Sequence, residues 1–171
     1  MTDPTQPLVR LAPVPLAPSP IEDGRQSPAA IAIARGVRRH LLTLGMATVT
    51  ELTLANGRRA DIVALTVRGD VWIVEIKSSV ADYRADNKWP EYEAYADCLL
   101  FAVAPDFPIE ILPAAAGLML ADAYGAEIVR PAPFKQLPAA RRKAMTMRIA
   151  RTAALRLHGL ADPEFVLERL E

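Results

Sequence analysis

The chain has 171 residues, 51% of them hydrophobic, and its 20 basic and 20 acidic side chains cancel, which indicates one globular domain and excludes a disordered protein. No apolar run reaches the roughly 20 residues of a membrane span. Cys98, the single cysteine, excludes an internal disulfide and points to a cytoplasmic protein, and the widely separated His40 and His158 argue against structural zinc.

Residues 1–26 carry six prolines in the first twenty positions and no continuous apolar core, so they read as an extended or disordered tail and not as a secretory signal. The domain is expected over 27–160. Ser27 suits an N-cap, Pro28 the first helical position and Gly45 the stop, which predicts a first helix over 28–44. Its apolar stripe is Ala30, Ile33, Ala34, Val37, Leu41 and Leu44. Arg35, Arg38 and Arg39 fall on the outer side and read as a solvated face in preference to a DNA contact.

A strand over 47–54 ends at the turn Ala55-Asn56-Gly57. Apolar runs at 60–67 and 71–76 flank Arg68-Gly69-Asp70 and read as a hairpin. Residues 78–89 are polar and irregular, and Pro90 opens a second helix to about Asp97. LLFAVA at 99–104 is a buried strand, followed by a helical turn near 108–112 and strands at 117–121 and 127–129. A long helix over 139–158 and a tail over 161–171 complete the chain. The whole is an α/β fold, a mixed β-sheet flanked by helices.

Charge is unevenly spread. From Ile128 to Ala161 there are eight Lys or Arg and no acid. On the long helix, Arg141, Arg148, Arg151 and Arg156 share an arc of roughly 140°, with Met147, Ala150, Ala154 and Leu157 opposite, toward the core. Such a stripe suits an anionic partner such as DNA, or is simply a soluble outer face.

The chemistry concentrates in the central hairpin. Alternation along a strand puts Glu75 and Lys77 on one face. A three-residue loop, Arg68-Gly69-Asp70, would set Asp61 opposite Lys77 and Val63 opposite Glu75, whereas a two-residue loop would turn Asp61 away. Two carboxylates and an ammonium would then converge at one end of an aliphatic sheet, where uncompensated burial is costly. Two readings remain open: a salt bridge by Lys77, or a divalent-metal site. Paired hard oxygens suit Mg²⁺, with Lys77 orienting or deprotonating the attacking water, or stabilising charge on a phosphate.

Asp61, thirteen residues, then Glu75-Ile76-Lys77 resembles the signature of the PD-(D/E)XK, restriction-endonuclease-like nucleases. The words RRADIVAL, VEIKSS, DNKWPEY, LLFAVAPD and GLMLADAYGAEIVR further resemble the bacterial MmcB-like DNA-repair family, over roughly residues 28–157. Ala60 stands where the signature has proline. The resemblance implies a restriction-endonuclease-like core in which Asp61 and Glu75 bind Mg²⁺ or Mn²⁺ and Lys77 assists the nucleophile.

The superfamily usually carries a further acid on its first helix. Residues 28–44 hold none, so Glu51 is the substitute, binding metal or a metal-bound water. A tight Asn56-Gly57 turn would face Glu51 away, and one more loop residue, Arg58, would bring it back. Glu91 and Tyr95, four apart on the expected second helix, resemble the superfamily's Gln-x-x-x-Tyr pair, with Glu91 hydrogen-bonding Lys77. Tyr83, Lys88 and Trp89 lie where a polar loop meets a nucleic-acid strand by stacking and charge, although Trp89 suits packing better. The expected function is Mg²⁺-assisted hydrolysis of DNA phosphodiester bonds in repair, by a monomer or a homodimer, with DNA and other repair proteins as partners and no membrane. The rivals are a non-catalytic nucleic-acid-binding or scaffolding module of the same fold, and a purely structural charge cluster.

Overall fold

The computed structural model describes residues 27–86 and 88–162; the expected tail at 1–26, and all but the first two residues of the expected tail at 161–171, lie outside them. Ser27 Oγ accepts the Ala30 N–H at 3.1 Å and starts α1 (Pro28–Thr43), as the capping residues predict. Three antiparallel strands follow: β1 (Ala47–Thr53), β2 (Arg59–Leu65) and β3 (Val71–Lys77). A short helix α2 (Val80–Ala85) and a 3₁₀ segment (Trp89–Tyr95) lead to β4 (Cys98–Val103), parallel to β3. β5 (Gly117–Ala121) is parallel to β4, and β6 (Ala126–Arg130) returns antiparallel before α3 (Ala139–Ala161). The result is one six-stranded mixed sheet in sequence order, β1 to β6, flanked by helices.

The sheet separates two cores. Ile33, Val37 and Leu41 of α1 cover Ile62, Val74, Leu100 and Met119 on one face. The other face holds Val63, Ile73 and Leu99 under Tyr92, Tyr95, Leu137, Met145 and Ile149. Burying each such aliphatic contributes about 1.5–3 kcal/mol. β4 is buried along its whole length, as LLFAVA requires.

α1 crosses the β5–β6 turn closely, and this makes Gly36 obligatory. A Cβ there would lie 2.1 Å from the Asp122 carbonyl oxygen and 2.3 Å from that of Gly125, so the backbone itself blocks any side chain. Gly36→Ala should therefore destabilise by about 1–3 kcal/mol, despite alanine's better helix propensity. Thermal melting checks this; an unchanged or higher Tm would refute the close approach.

Three expectations change. The predicted second helix from Pro90 is instead a 3₁₀ segment, and the stretch 78–89, expected to be irregular, holds the short helix α2. With three residues per turn, Tyr92 and Tyr95 align and are both buried, while Glu91 is exposed. Glu91 and Tyr95 therefore do not share a face. On α3 the buried residues are Met145 and Ile149, while Met147 is 54% and Leu157 63% exposed, so the expected apolar face points outward. The third change, in the hairpin register, shapes the site.

Candidate functional site

The β2–β3 loop is longer than three residues. Leu65 pairs with Val71, so Thr66–Asp70 form the loop, closed by Thr66 N–H to Asp70 O at 3.0 Å with Gly69 at φ +85°. Val63 thus faces Ile73, and the same register sets Asp61 opposite Glu75 in place of Lys77. Both loop lengths are odd, so the expected convergence of Asp61, Glu75 and Lys77 on one face survives the shift.

Side chains replace the backbone ladder at this point. The Ile76 N–H donates to Asp61 Oδ2 at 2.8 Å, and the Asp61 N–H donates to Glu75 Oε1 at 3.3 Å. Each carboxylate uses one oxygen in these bonds, which leaves Asp61 Oδ1 and Glu75 Oε2 for other work. Glu75 and Lys77 are each only 2% exposed.

Glu51 marks the same break from the other side. The β1–β2 register is constant from Ala47↔Leu65 to Thr53↔Arg59, which sets Glu51 across from Asp61 as the longer loop was expected to do. Val49 and Leu52, three apart, nevertheless join one core cluster, as do Ala60 and Val63. Two-residue alternation therefore slips at Glu51 and Asp61 together. Glu51 absorbs the slip at φ +50°, a left-handed conformation that costs a non-glycine residue about 1–3 kcal/mol and concentrates at functional sites.

The electrostatics follow from burial. Burial pushes the Asp61 carboxyl up to about 6; the Ile76 N–H and Lys77 oppose this, while Glu51 and Asp82 add to it. Burial, then the neighbouring Asp61 charge, raises Glu75 well above the carboxylate range. Lys77 is pulled down by burial but more than restored by Asp86, whose Oδ2 lies 2.7 Å from Nζ, and by Glu75. It remains an ammonium at neutral pH. Burial opposes ionisation of Asp86, but the bonds from Lys77 and the Lys88 N–H hold it below its usual value.

Two hard carboxylates fit Mg²⁺ or Mn²⁺, which keep several waters and accept one or two protein ligands. Glu51 does not extend the set: its carboxylate is paired with Arg59, and no group of three or more His, Cys, Asp or Glu gathers among the described residues. Metal at Asp61 and Glu75 is compatible with this chemistry.

Other expected site residues are placed differently. Glu91 does not reach Lys77; its oxygens accept Arg58 Nε and Nη2, each at 2.8 Å. Lys77 takes Asp86 instead. Tyr83 packs edge-on against Phe101 at 6.1 Å, as Trp89 does at 5.8 Å, so Tyr83 is held in the core edge and not offered for stacking. Tyr95 is buried beneath the Arg141 guanidinium, 4.7 Å from its ring centre. Lys88 and Arg151 are exposed. Arg148 and Arg156 turn back onto the carbonyls of β1, so the stripe is not one free basic face.

Sequence reasoning passed over Asp86 and Tyr92. Tyr92 is 4% exposed and its hydroxyl donates to Arg59 O at 3.1 Å, steadying β2 next to Asp61. Only the density of charge after Lys77 hinted at Asp86. The three-residue spacing of Trp89, Tyr92 and Tyr95 was the available signal for Tyr92.

A family model described as DNA repair protein MmcB-like matches residues 17–164. A solved structure described as the SPO1766 protein of unknown function from Silicibacter pomeroyi is 45% identical, with a TM-score of 0.80; the match covers 84% of this chain and 97% of that one. No curated protein matches. Among the described residues no helix is long and apolar enough to cross a membrane.

Proposed function

The chain belongs to the MmcB-like DNA repair protein family, and from that premise we propose a metal-dependent deoxyribonuclease of the PD-(D/E)XK type, with a restriction-endonuclease-like core. The observation that carries the reading is the junction of Asp61 and Glu75. Each binds the other strand's backbone through one oxygen and keeps its second oxygen for a cation, beside a buried Lys77. A salt bridge explains this poorly. Among the described residues the Lys77 ammonium is paired with Asp86 at 2.7 Å and forms no ion pair with Asp61 or Glu75. On those two it acts only through its field.

In this reading Asp61 and Glu75 hold Mg²⁺ or Mn²⁺, which when bound would activate a water and polarise a phosphate oxygen. Lys77, kept protonated by Asp86, presents a fixed positive charge to the phosphate as negative charge develops, a role in electrostatic stabilisation that needs no prior deprotonation. Asp86 orients that ammonium. Glu51 holds Arg59 and fixes the break in β1 that lets Asp61 turn into the site.

Incubation with nicked, branched and single-stranded DNA tests the proposal. Cleavage is expected with Mg²⁺ or Mn²⁺, none with EDTA, and a loss of at least about a hundredfold in Asp61→Asn and Glu75→Gln, as removal of a metal's protein ligand implies. Cleavage that persists in both variants would sink the site assignment. A second reading, a DNA-binding module that keeps the fold without the chemistry, draws on the internal pairing of Lys77 with Asp86 and of Glu51 with Arg59. It predicts DNA binding with no turnover on any substrate.

A further inference from the structure

The far end of α3 runs past the surface it covers. Arg148 Nη1 donates to Thr53 O at 2.9 Å, and Arg156 Nη1 donates to Thr50 O at 2.6 Å. The helix therefore travels antiparallel to the edge strand β1, and its last turn lies level with the start of that strand. At 100° per residue, Leu160 continues the inward row of Ile149 and Arg156. Ile149 is buried, yet Leu160 is 41% exposed. Leu155 and Leu157 beside it are exposed too, as are Leu42 and Leu44, where α1 ends next to β1. Clustered exposed apolar side chains mark an interaction surface.

The chain itself carries a fitting occupant. Ile128–Ala161 holds eight Lys or Arg and no acid, whereas the next ten residues hold four acids and one Arg. The sign of the charge thus reverses where α3 ends. On α3, Arg148 donates to a carbonyl and Arg151 is exposed, and neither meets a carboxylate among the described residues. The acids after Asp162 are Glu164, Glu168 and Glu171, and Phe165, Val166, Leu167 and Leu170 supply apolar surface between them. Asp162, at φ −137°, has already left the helix. Asp162-Pro163-Glu164 is also a start signal for a new helix, with a capping acid, proline at the first position and an acid in the first turn. Nine helical residues span about 13 Å, the length of the exposed last turns of α3. So short a helix is marginal alone in water and requires a surface to pack on.

We propose that the segment 163–171 folds back on the distal half of α3 as the second arm of an αα-hairpin. Its apolar residues cover Leu155, Leu157 and Leu160, and its glutamates face the α3 arginines. Docked there, the segment withdraws positive charge at this end of α3 from the surface open to nucleic acid. The inference stands apart from the nuclease reading, since no residue of the Asp61, Glu75 and Lys77 site takes part.

Digestion of the full chain with thermolysin under native conditions tests it, with cuts inside 163–171 timed by mass spectrometry. Where opening and closing are fast, cleavage follows the population of the open segment. The double variant Leu157→Ser, Leu160→Ser should be cut there about tenfold faster than wild type, as loss of two apolar contacts implies. Glu168→Lys should move in the same direction by a smaller factor, because exposed ion pairs contribute little. Glu168→Lys leaves the domain untouched, so it carries the test if melting curves show the double variant unfolded.

Equal cleavage in wild type and in these variants overturns the hairpin. Protection that fades on dilution, with a dimer seen by light scattering, would seat the segment on a second copy. Protection present only with added oligonucleotide would make the face a nucleic-acid surface. Either of these outcomes also overturns docking within one chain.

Discussion

Asp97→Ala should cost about 3 kcal/mol and lower the Tm by about 6–12 °C, the largest loss expected from any single polar side chain here. The carboxylate is 1% exposed and accepts four hydrogen bonds: from Val71 N–H at 2.7 Å, Leu137 N–H at 2.8 Å, and Arg142 Nη1 and Nη2 at 2.8 and 2.7 Å. It therefore ties the start of β3, the segment before α3 and α3 itself to the head of β4. Removing it leaves two buried N–H groups without acceptors, at about 1–3 kcal/mol each, and a guanidinium without its carboxylate. Arg142 keeps the Gly69 carbonyl at 2.7 Å and is partly exposed, which holds the total to the lower part of the range for a broken buried pair.

Asp97→Asn discriminates between charge and geometry. The amide offers one acceptor oxygen where two are needed, so it should lose nearly as much as alanine. A variant within 0.5 kcal/mol of wild type, a shift typical of surface positions, would show that the node is dispensable. Burial opposes ionisation of Asp97, but Arg142 and the two N–H groups outweigh it and hold the group below its usual value. A depressed carboxylate contributes stability that is present above its unfolded pKa of about 3.9 and lost as pH falls through the folded value. Wild type should therefore lose stability in acid more steeply than Asp97→Asn.

This node also shows where the sequence was silent. Asp97 finds its side-chain partners 26, 40 and 45 residues away, and no local spacing announces such a meeting. What was legible was what local rules determine: α1 from Ser27 and Pro28, the hairpin from two β-branched runs about Gly69, and β4 from its unbroken apolar run. The shared face of Asp61, Glu75 and Lys77 was legible too, because parity survives any odd loop. Loop length itself was not: Val67 is as apolar as a strand residue yet is 90% exposed in the turn. The orientation of α3 was equally hidden. Alanines line much of that helix, so its apolar moment is shallow, and the choice fell to Arg148, Arg156 and Arg142, which reach for carbonyls and a carboxylate on the sheet. Glu91 chose Arg58 because the 3₁₀ geometry rotated it outward.

Asp61→Asn should make the metal-free protein more stable at neutral pH, by about 2–3 kcal/mol. The Asp61 carboxyl is raised to about 6, chiefly by burial, from an ordinary value near 4. A carboxylate whose folded pKa is raised binds its proton more tightly when folded. Its contribution to stability is therefore present below the unfolded value and lost as pH climbs through the folded one. A rise of that size corresponds to about 3 kcal/mol, withdrawn between about pH 4 and 6. Glu75, raised by burial and by Asp61, acts in the same direction. Asn cannot ionise, and its amide oxygen can still accept the Ile76 N–H, so the variant should lack this pH-dependent loss while keeping the strand junction.

Metal reverses the order. An ion that binds only the folded state adds about 2.7 kcal/mol at a hundredfold excess over its Kd, and it does so by needing the charge that destabilises the apo protein. Wild type should thus gain with Mg²⁺ or Mn²⁺ what Asp61→Asn cannot, and more at pH 7 than at pH 5, where protons compete for the carboxylate. A structural ion pair predicts the opposite on both counts: no response to metal, and a variant that melts early at neutral pH because a favourable charge has gone. Melting curves of the two proteins at pH 5 and 7, each with EDTA and with millimolar metal, separate these outcomes. Wild type unmoved by metal beside an early-melting Asp61→Asn would leave the Asp61–Glu75 junction as architecture alone.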